Sequence, residues 1–212
     1  MINMYKHIIF DFGGVFLNLM GKHSGVPKQL SEIFSIDEES AEKLWKGNRE
    51  KLLTGKETPK QFLERMANEL SKTVDISEVH KKWKASDMVN VNQIDWDLVN
   101  YVEQLKKEGY RIHMLTDAID LSRKTDPVVK EVDKHFHNVF KSYEEGMKKP
   151  DKSAFINVLE KIKAEPKECV FVDDYNANIQ AAQELGMTAI RFTTTGELKE
   201  SFKNLGILTR NQ

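Results

Sequence analysis

Lys6 to Val15 reads KHIIFDFGGV, and the fold turns on how this stretch is read. Ile8, Ile9 and Phe10 make a short apolar run with β-branched members, the pattern of a strand buried on both faces. Asp11 stands where that strand should end, and Gly13 and Gly14 follow directly. Open α/β sheets place their chemistry at the carboxyl ends of their strands. Glycines at such a point let the backbone approach a small anion or a metal, because no Cβ intervenes. Taken alone, the stretch is equally an Asp that opens a turn. The rest of the chain separates the two readings.

At 212 residues the chain has room for one α/β domain with an insertion, or two modest domains, around a real hydrophobic core. Its 40% apolar and 31% charged residues are those of an ordinary soluble protein. With 32 basic and 33 acidic residues, nothing in the charge balance favours nucleic acid or an anionic membrane as a partner. Cys169 is the single cysteine, which rules out a disulfide within the chain. No run approaches the ~18 apolar residues of a membrane span. The first apolar run is too short for a signal peptide and ends at Asp11, so a cytoplasmic location is expected. No coiled-coil heptad speaks to oligomeric state.

Working outward, Phe16 to Asn92 is rich in Lys, Glu, Ser and Gln and reads as helices. Pro27 can open one that runs to about Phe34, and Asp37 or Ser40 can cap a second carrying Leu44 and Trp45. Thr58-Pro59 has the form of an N-cap followed by proline at the first helical position, with Phe62, Met66 and Leu70 on one face behind it. Ile76 to Ala85 is a fourth candidate. Residues 16–92 therefore read as a helical cap subdomain inserted into a core made of 1–15 and 93–212.

Helix and strand then alternate. Asp95 to Glu108 is amphipathic, Arg111 to Leu115 a strand, Pro127 to His135 a helix and Val139-Phe140 a short strand. Pro150 to Lys163 is helical, Cys169 to Val172 a buried strand, Asn176 to Leu185 a helix, Thr188 to Phe192 a strand and Leu198 to Leu205 a last helix. This order predicts a doubly wound, mainly parallel, Rossmann-like α/β sheet. Asp11, Thr116 and Asp173-Asp174 each follow an apolar strand directly, and Lys149 precedes a proline-started helix. If the strands are parallel neighbours, these groups share one rim. Carboxylates brought together repel unless a cation lies between them, and hard oxygen ligands suit magnesium. A lysine and a hydroxyl beside them suit phosphate.

Four segments carry a resemblance that spans the chain: IIFDFGGV, HMLTD, GMKKPD and VFVDDYNANIQAAQELGMTAI. In this order, at strand ends, with a helical cap between the first and second, they resemble the haloacid dehalogenase superfamily of hydrolases. The third and fourth look most like its sugar-phosphate phosphatase branch, including the glucose-1-phosphate type. The resemblance implies an Mg²⁺-dependent phosphatase acting on a small phosphorylated metabolite. It makes Asp11 the nucleophile that forms an aspartyl-phosphate. It gives Gly13 the role of offering a backbone carbonyl to Mg²⁺, makes Asp174 a direct ligand, and has Asp173 hold a metal-bound water or bind the metal itself. Thr116 would donate its hydroxyl to a phosphate oxygen, with Asp117 beside it, and Lys149 would neutralise phosphate charge and hold Asp11. The cap would close over the site and select the leaving group.

Two positions depart from the pattern. Such phosphatases usually carry an acid–base Asp two residues after the nucleophile, where this chain has Gly13, and losing a positioned acid–base group costs roughly 10²–10⁴ in rate. Some relatives in this branch also have Gly there. His23 is a candidate to reach back, although a lone loop histidine is ordinarily just solvated. Asp117 stands where relatives commonly have Asn, and a carboxylate beside phosphate is unfavourable unless it turns away or meets a cation. Two alternatives follow. One is a catalytically weak or inactive binding or regulatory protein that keeps the fold. The other is a 2-haloacid dehalogenase, a metal-free type in which paired Asp173-Asp174 would only repel the substrate carboxylate. Trp45, Trp83 and Trp96 read as packing residues, Cys169 as an inert buried thiol, and the histidines show no metal-ligand spacing.

Overall fold

The computed structural model describes residues 4–18, 25–121 and 123–207. His23 lies outside them. In chain order the elements are β1 (His7–Phe10), α1 (Val26–Phe34), α2 (Glu38–Leu53), α3 (Pro59–Glu69), α4 (Ile76–Ser86) and α5 (Trp96–Lys107). There follow β2 (Arg111–Thr116), α6 (Pro127–Asp133), β3 (Asn138–Lys141), α7 (Ser142–Glu145) and α8 (Lys152–Ile162). The chain ends through β4 (Cys169–Asp173), α9 (Asn176–Glu184), β5 (Thr188–Arg191) and α10 (Thr195–Asn204).

The five strands form one sheet in the order β3-β2-β1-β4-β5, and every pairing is parallel. β1 is central because it is apolar on both sides. Ile8 and Phe10 point to one face, where Ile112, Met114, Val170 and Val172 meet Leu98 and Val102 of α5 and Leu198 and Phe202 of α10. Ile9 points to the other, where Leu115 and Phe171 meet Phe155 and Val158 of α8 and Ile179 and Ala182 of α9. Side chains alternate along a strand, so helices on both sides are needed to cover this one. Fully burying each of these side chains except the small Ala182 contributes about 1.5–3 kcal/mol.

Helices α1 to α4 pack around a third core of their own, with Leu30, Phe34, Trp45, Phe62, Met66 and Trp83 buried together. Their starts are locally specified. Asp37 accepts a hydrogen bond from the Ser40 N–H at the start of α2, and Thr58 and Gln61 form a reciprocal capping box at α3, with Pro59 in its first turn. Leu121, from the loop after β2, joins the same cluster. The turn after α2 abuts α7: a Cβ at Gly55, where φ is +65°, would lie 2.2 Å from the Tyr143 carbonyl oxygen. A glycine is required there on both counts.

Observed boundaries differ from the sequence reading where caps decide. α10 begins at Thr195 rather than Leu198, because the Thr194 side chain accepts from the Glu197 N–H and draws the first turn backwards. α8 begins after Pro150, at Lys152. The four-residue α7 falls in a stretch left without an element by periodicity, being too short to show any. At the amino ends of β1 and β2, His7 and His113 stack with ring centroids 5.3 Å apart. Burial pushes His113 down to about 3, so it is neutral. His113 Nδ1 lies 3.0 Å from Asn138 Nδ2 and its Nε2 3.1 Å from His7 Nδ1, a chain that neutral rings satisfy. The cluster is at the opposite end of the strands from Asp11. Burial also raises the Cys169 thiol to about 12, and a thiol so held is not a nucleophile.

Candidate active site

Strand register assembles the rim. Phe10 of β1 pairs with Met114 of β2 and Val172 of β4, so Asp11 comes level with Leu115 and Asp173 as the strands run out. The Asp11 N–H donates to the Val172 carbonyl at 2.9 Å, extending the ladder by one residue and fixing where the carboxylate leaves the backbone. Asp11, Asp173 and Asp174 each place a carboxylate oxygen so that the three atoms lie within 4.8 Å of one another. Lys149 enters from the loop before α8, with Nζ 2.7 Å from Asp11 Oδ1 and 2.7 Å from Asp173 Oδ2. Its side chain is 1% exposed. Asp173 is held further by the Tyr175 N–H at 2.8 Å and by Asn178 Nδ2 at 2.9 Å.

One ammonium among these four groups leaves an excess of negative charge. Burial pushes the Asp11 carboxyl up to about 7, against the attraction of Lys149 and with the repulsion of Asp173. Asp174, half-buried, is raised by burial and then by Asp173. Burial works against the Lys149 charge, but Asp11, Asp173 and Asp117 outweigh it, and its pKa lies above the ordinary lysine value. Such a set of hard oxygen donors, short of positive charge, fits a divalent cation.

Gly14 is part of that fit. Its φ is +77°, and a Cβ there would lie 2.3 Å from Asp174 Oδ2 and 2.8 Å from Oδ1. Gly14→Ala is therefore expected to push the Asp174 carboxylate out of the cluster and add left-handed backbone strain of about 1–2 kcal/mol. Divalent-cation affinity, measured by titration calorimetry, should fall by roughly 10–100-fold while the circular dichroism spectrum is kept. An unchanged affinity would show that the Asp174 carboxylate takes no part in cation binding.

Thr116 ends β2 and is 3% exposed. Asp117 turns one oxygen away from the strand end, where Oδ1 accepts the Lys149 backbone N–H at 3.1 Å. Gly13 lies in a tight loop in which the Gly14 N–H donates to the Leu17 carbonyl. Of the residues singled out from the sequence, Asp11, Lys149, Asp173 and Asp174 come together directly, and Asp117 joins them through Lys149.

Three features escaped the sequence reading. Asn178, in the first turn of α9, grips Asp173, and its spacing from Asp173 was a usable signal. Arg123 lays its guanidinium 4.0 Å over the Phe12 ring and bonds Asp133 at 3.1 Å, pinning the residue beside Asp11. Nothing local to Arg123 announces that contact. Across a cleft of about 840 Å³ from the carboxylates lies one face of α2, with Glu42, Trp45, Lys46, Arg49, Glu50 and Leu53. Their spacing of three and four is that of a single helical stripe.

Residues 5–186 match the haloacid dehalogenase-like hydrolase family. The chain belongs to that family. Among curated relatives of this haloacid dehalogenase-like hydrolase, bifunctional epoxide hydrolase 2 of Rattus norvegicus is 29% identical over 176 residues, which are 76% of this chain. The chain spans only 31% of that relative's length. D-ribitol-5-phosphate phosphatase of Bacteroides thetaiotaomicron is 24% identical over 190 residues, covering 86% of this chain and 89% of its own. Among solved structures, the magnesium complex of a haloacid dehalogenase family enzyme from Bacteroides thetaiotaomicron superposes with a TM-score of 0.73 at 25% identity, covering 94% of this chain and 98% of its own. That enzyme has also been crystallised with magnesium and inorganic phosphate, with a TM-score of 0.74 at 24% identity and coverages of 93% and 99%. No helix among the described residues is long and apolar enough to cross a membrane.

Proposed function

We propose that this hydrolase is an Mg²⁺-dependent phosphatase that cleaves a small phosphomonoester, a sugar or polyol phosphate in the first instance, through an aspartyl-phosphate on Asp11. The observation that carries this reading is the convergence of Asp11, Asp173 and Asp174 within 4.8 Å at the floor of the cleft. A metal-free dehalogenase has no use for the second and third of these carboxylates. The magnesium found in the Bacteroides thetaiotaomicron enzyme and the phosphatase activity in the name of the ribitol-phosphate relative agree with it.

In this reading Asp11 attacks phosphorus in line with the departing oxygen, held by Lys149 at 2.7 Å. Lys149 also offsets charge on the phosphoryl oxygens, and the Thr116 hydroxyl donates to one of them. Asp11, Asp174, the Gly13 carbonyl and Asp173, directly or through water, would hold Mg²⁺, which would supply the remaining charge neutralisation. Positioning and charge neutralisation account for most of phosphoryl transfer. Residues 16–92 act as a cap, and the α2 face opposite the carboxylates chooses the leaving group. Residues 1–15 and 93–212 form the catalytic core.

The test is hydrolysis of p-nitrophenyl phosphate with Mg²⁺, after EDTA, and after Mg²⁺ is restored. Activity should vanish with EDTA and return with Mg²⁺. Metal-independent halide release from a 2-haloacid would point to the dehalogenase, and the absence of both reactions to a binding protein.

A further inference from the structure

Cleaving the phosphate ester of an ordinary alcohol requires a proton for the departing oxygen. Position 13, two residues after Asp11, is a glycine and has no side chain to give one. The donor must therefore be sought among the other groups that face the cleft. Asp11 is committed to phosphorus. Asp173 is fully enclosed, its oxygens taken by Lys149, Asn178 and the Tyr175 N–H. Asp174 packs on Gly14 within the carboxylate cluster. Glu42 is paired with Lys46 at 3.1 Å, and Glu50 is exposed on the same helix. No histidine among the described residues lines the cleft. Among the carboxyl groups that line the cleft, Asp117 is the one that is both largely enclosed and held at the end of a core strand without being engaged in the carboxylate cluster.

We propose that Asp117 is the acid–base group of this enzyme, standing in for the side chain that Gly13 lacks; this rests on the phosphatase reading above. Asp117 follows Thr116 on the rigid end of a core strand, so its position does not depend on how α1 to α4 move. The Lys149 N–H fixes Oδ1 at 3.1 Å, and no hydrogen bond among the described residues engages Oδ2. Burial raises the Asp117 carboxyl, against the pull of Lys149, so the protonated form persists above the usual carboxylate range. An asparagine in this place donates hydrogen bonds but has no proton to transfer.

The two half-reactions balance. In the first, an Asp11 oxygen bonds to phosphorus, the ester P–O bond breaks, its electron pair leaves on the alcohol oxygen, and the Asp117 proton moves to that oxygen. In the second, water attacks phosphorus as Asp117 carboxylate takes a water proton. The Asp11–phosphorus bond breaks, and inorganic phosphate, Asp11 carboxylate and protonated Asp117 result.

The experiment compares wild type with Asp117→Asn, both with Mg²⁺, on p-nitrophenyl phosphate and on the fastest member of a polyol and sugar phosphate panel. The nitrophenolate departs without a proton, whereas an alkoxide does not. For the alkyl ester kcat/KM should fall roughly 10²–10⁴-fold. For the aryl ester the loss should be at least tenfold smaller than for the alkyl one. Equal losses on both esters would reduce Asp117 to a clamp on the Lys149 loop, and no loss on either would exclude it; both overturn the proposal. Wild type that cleaves the aryl ester alone would show that no acid is present, which also overturns it. Wild type that cleaves neither would instead sink the phosphatase reading on which it rests. Should Asp117→Asn fail to fold, Asp117→Ser keeps a short acceptor for the Lys149 N–H and serves the same comparison.

Discussion

Replacing Asp11 with asparagine is expected to abolish turnover while leaving the fold in place. The change conserves shape and exchanges one carboxylate oxygen for an amide nitrogen, so the backbone bond from the Asp11 N–H to Val172 is untouched. What disappears is the carboxylate proposed as the nucleophile. Removing the nucleophile of an enzyme that works through a covalent intermediate lowers kcat on the order of 10⁵–10⁶. Stability should change little, because burial and Asp173 already disfavour the charged Asp11 carboxylate, and Lys149 keeps Asp173 as a partner at 2.7 Å. The measurement is steady-state hydrolysis of p-nitrophenyl phosphate with Mg²⁺, beside a thermal melt of both proteins. A variant with ordinary activity would take Asp11 out of the chemistry altogether. A variant that is inactive only because it is unfolded would show in the melt.

How much of this could be read from the amino acids differs by the range of the interaction. β1 was legible because Ile8, Ile9 and Phe10 have no polar side to turn outward, so both faces had to be covered and the sheet had to be doubly wound. α3 was legible because Thr58-Pro59 marks its start and Phe62 and Met66 its buried face. The rim followed from these two kinds of signal: strands that end on Asp11 and Asp173 bring those carboxylates together once the strands are parallel. Features made by the meeting of distant segments were not legible. The Arg123–Phe12 stack, the Gly55 approach to Tyr143 and the α2 face opposite the carboxylates each depend on where whole elements dock. The histidines show the same division. His7 and His113 are 106 positions apart and have no shared spacing, yet parallel pairing of β1 with β2 stacks them. Asp117 lies between the two cases. Its identity was visible, but its hydrogen bond to the Lys149 backbone, which turns one oxygen from the strand end, required the fold.

Lys149→Met is expected to have the largest effect on stability and a large one on activity. The lysine side chain is 1% exposed and holds two carboxylates at 2.7 Å each. Methionine fills similar space but leaves Asp11 and Asp173 buried without their partner. Breaking a buried ion pair from one side costs about 3–5 kcal/mol, because the remaining charge stays in a poorly solvating environment. For a chain of this size each kcal/mol moves the melting temperature by roughly 2–4 °C, so a fall of about 6–20 °C is expected in EDTA. Activity should drop as well, by about 10²–10³, since the positioned charge proposed to face the phosphoryl group is lost. Added Mg²⁺ separates this account from simple damage to the core. A divalent cation among the carboxylates replaces part of the missing positive charge, and ligand binding raises stability by mass action. The melting temperature of Lys149→Met should therefore rise more on adding Mg²⁺ than that of wild type. If both rise equally, the ammonium and the cation do not answer to the same carboxylates. If the variant melts with wild type in EDTA, Asp11 and Asp173 do not need a buried partner, and the electrostatic account of this site is wrong.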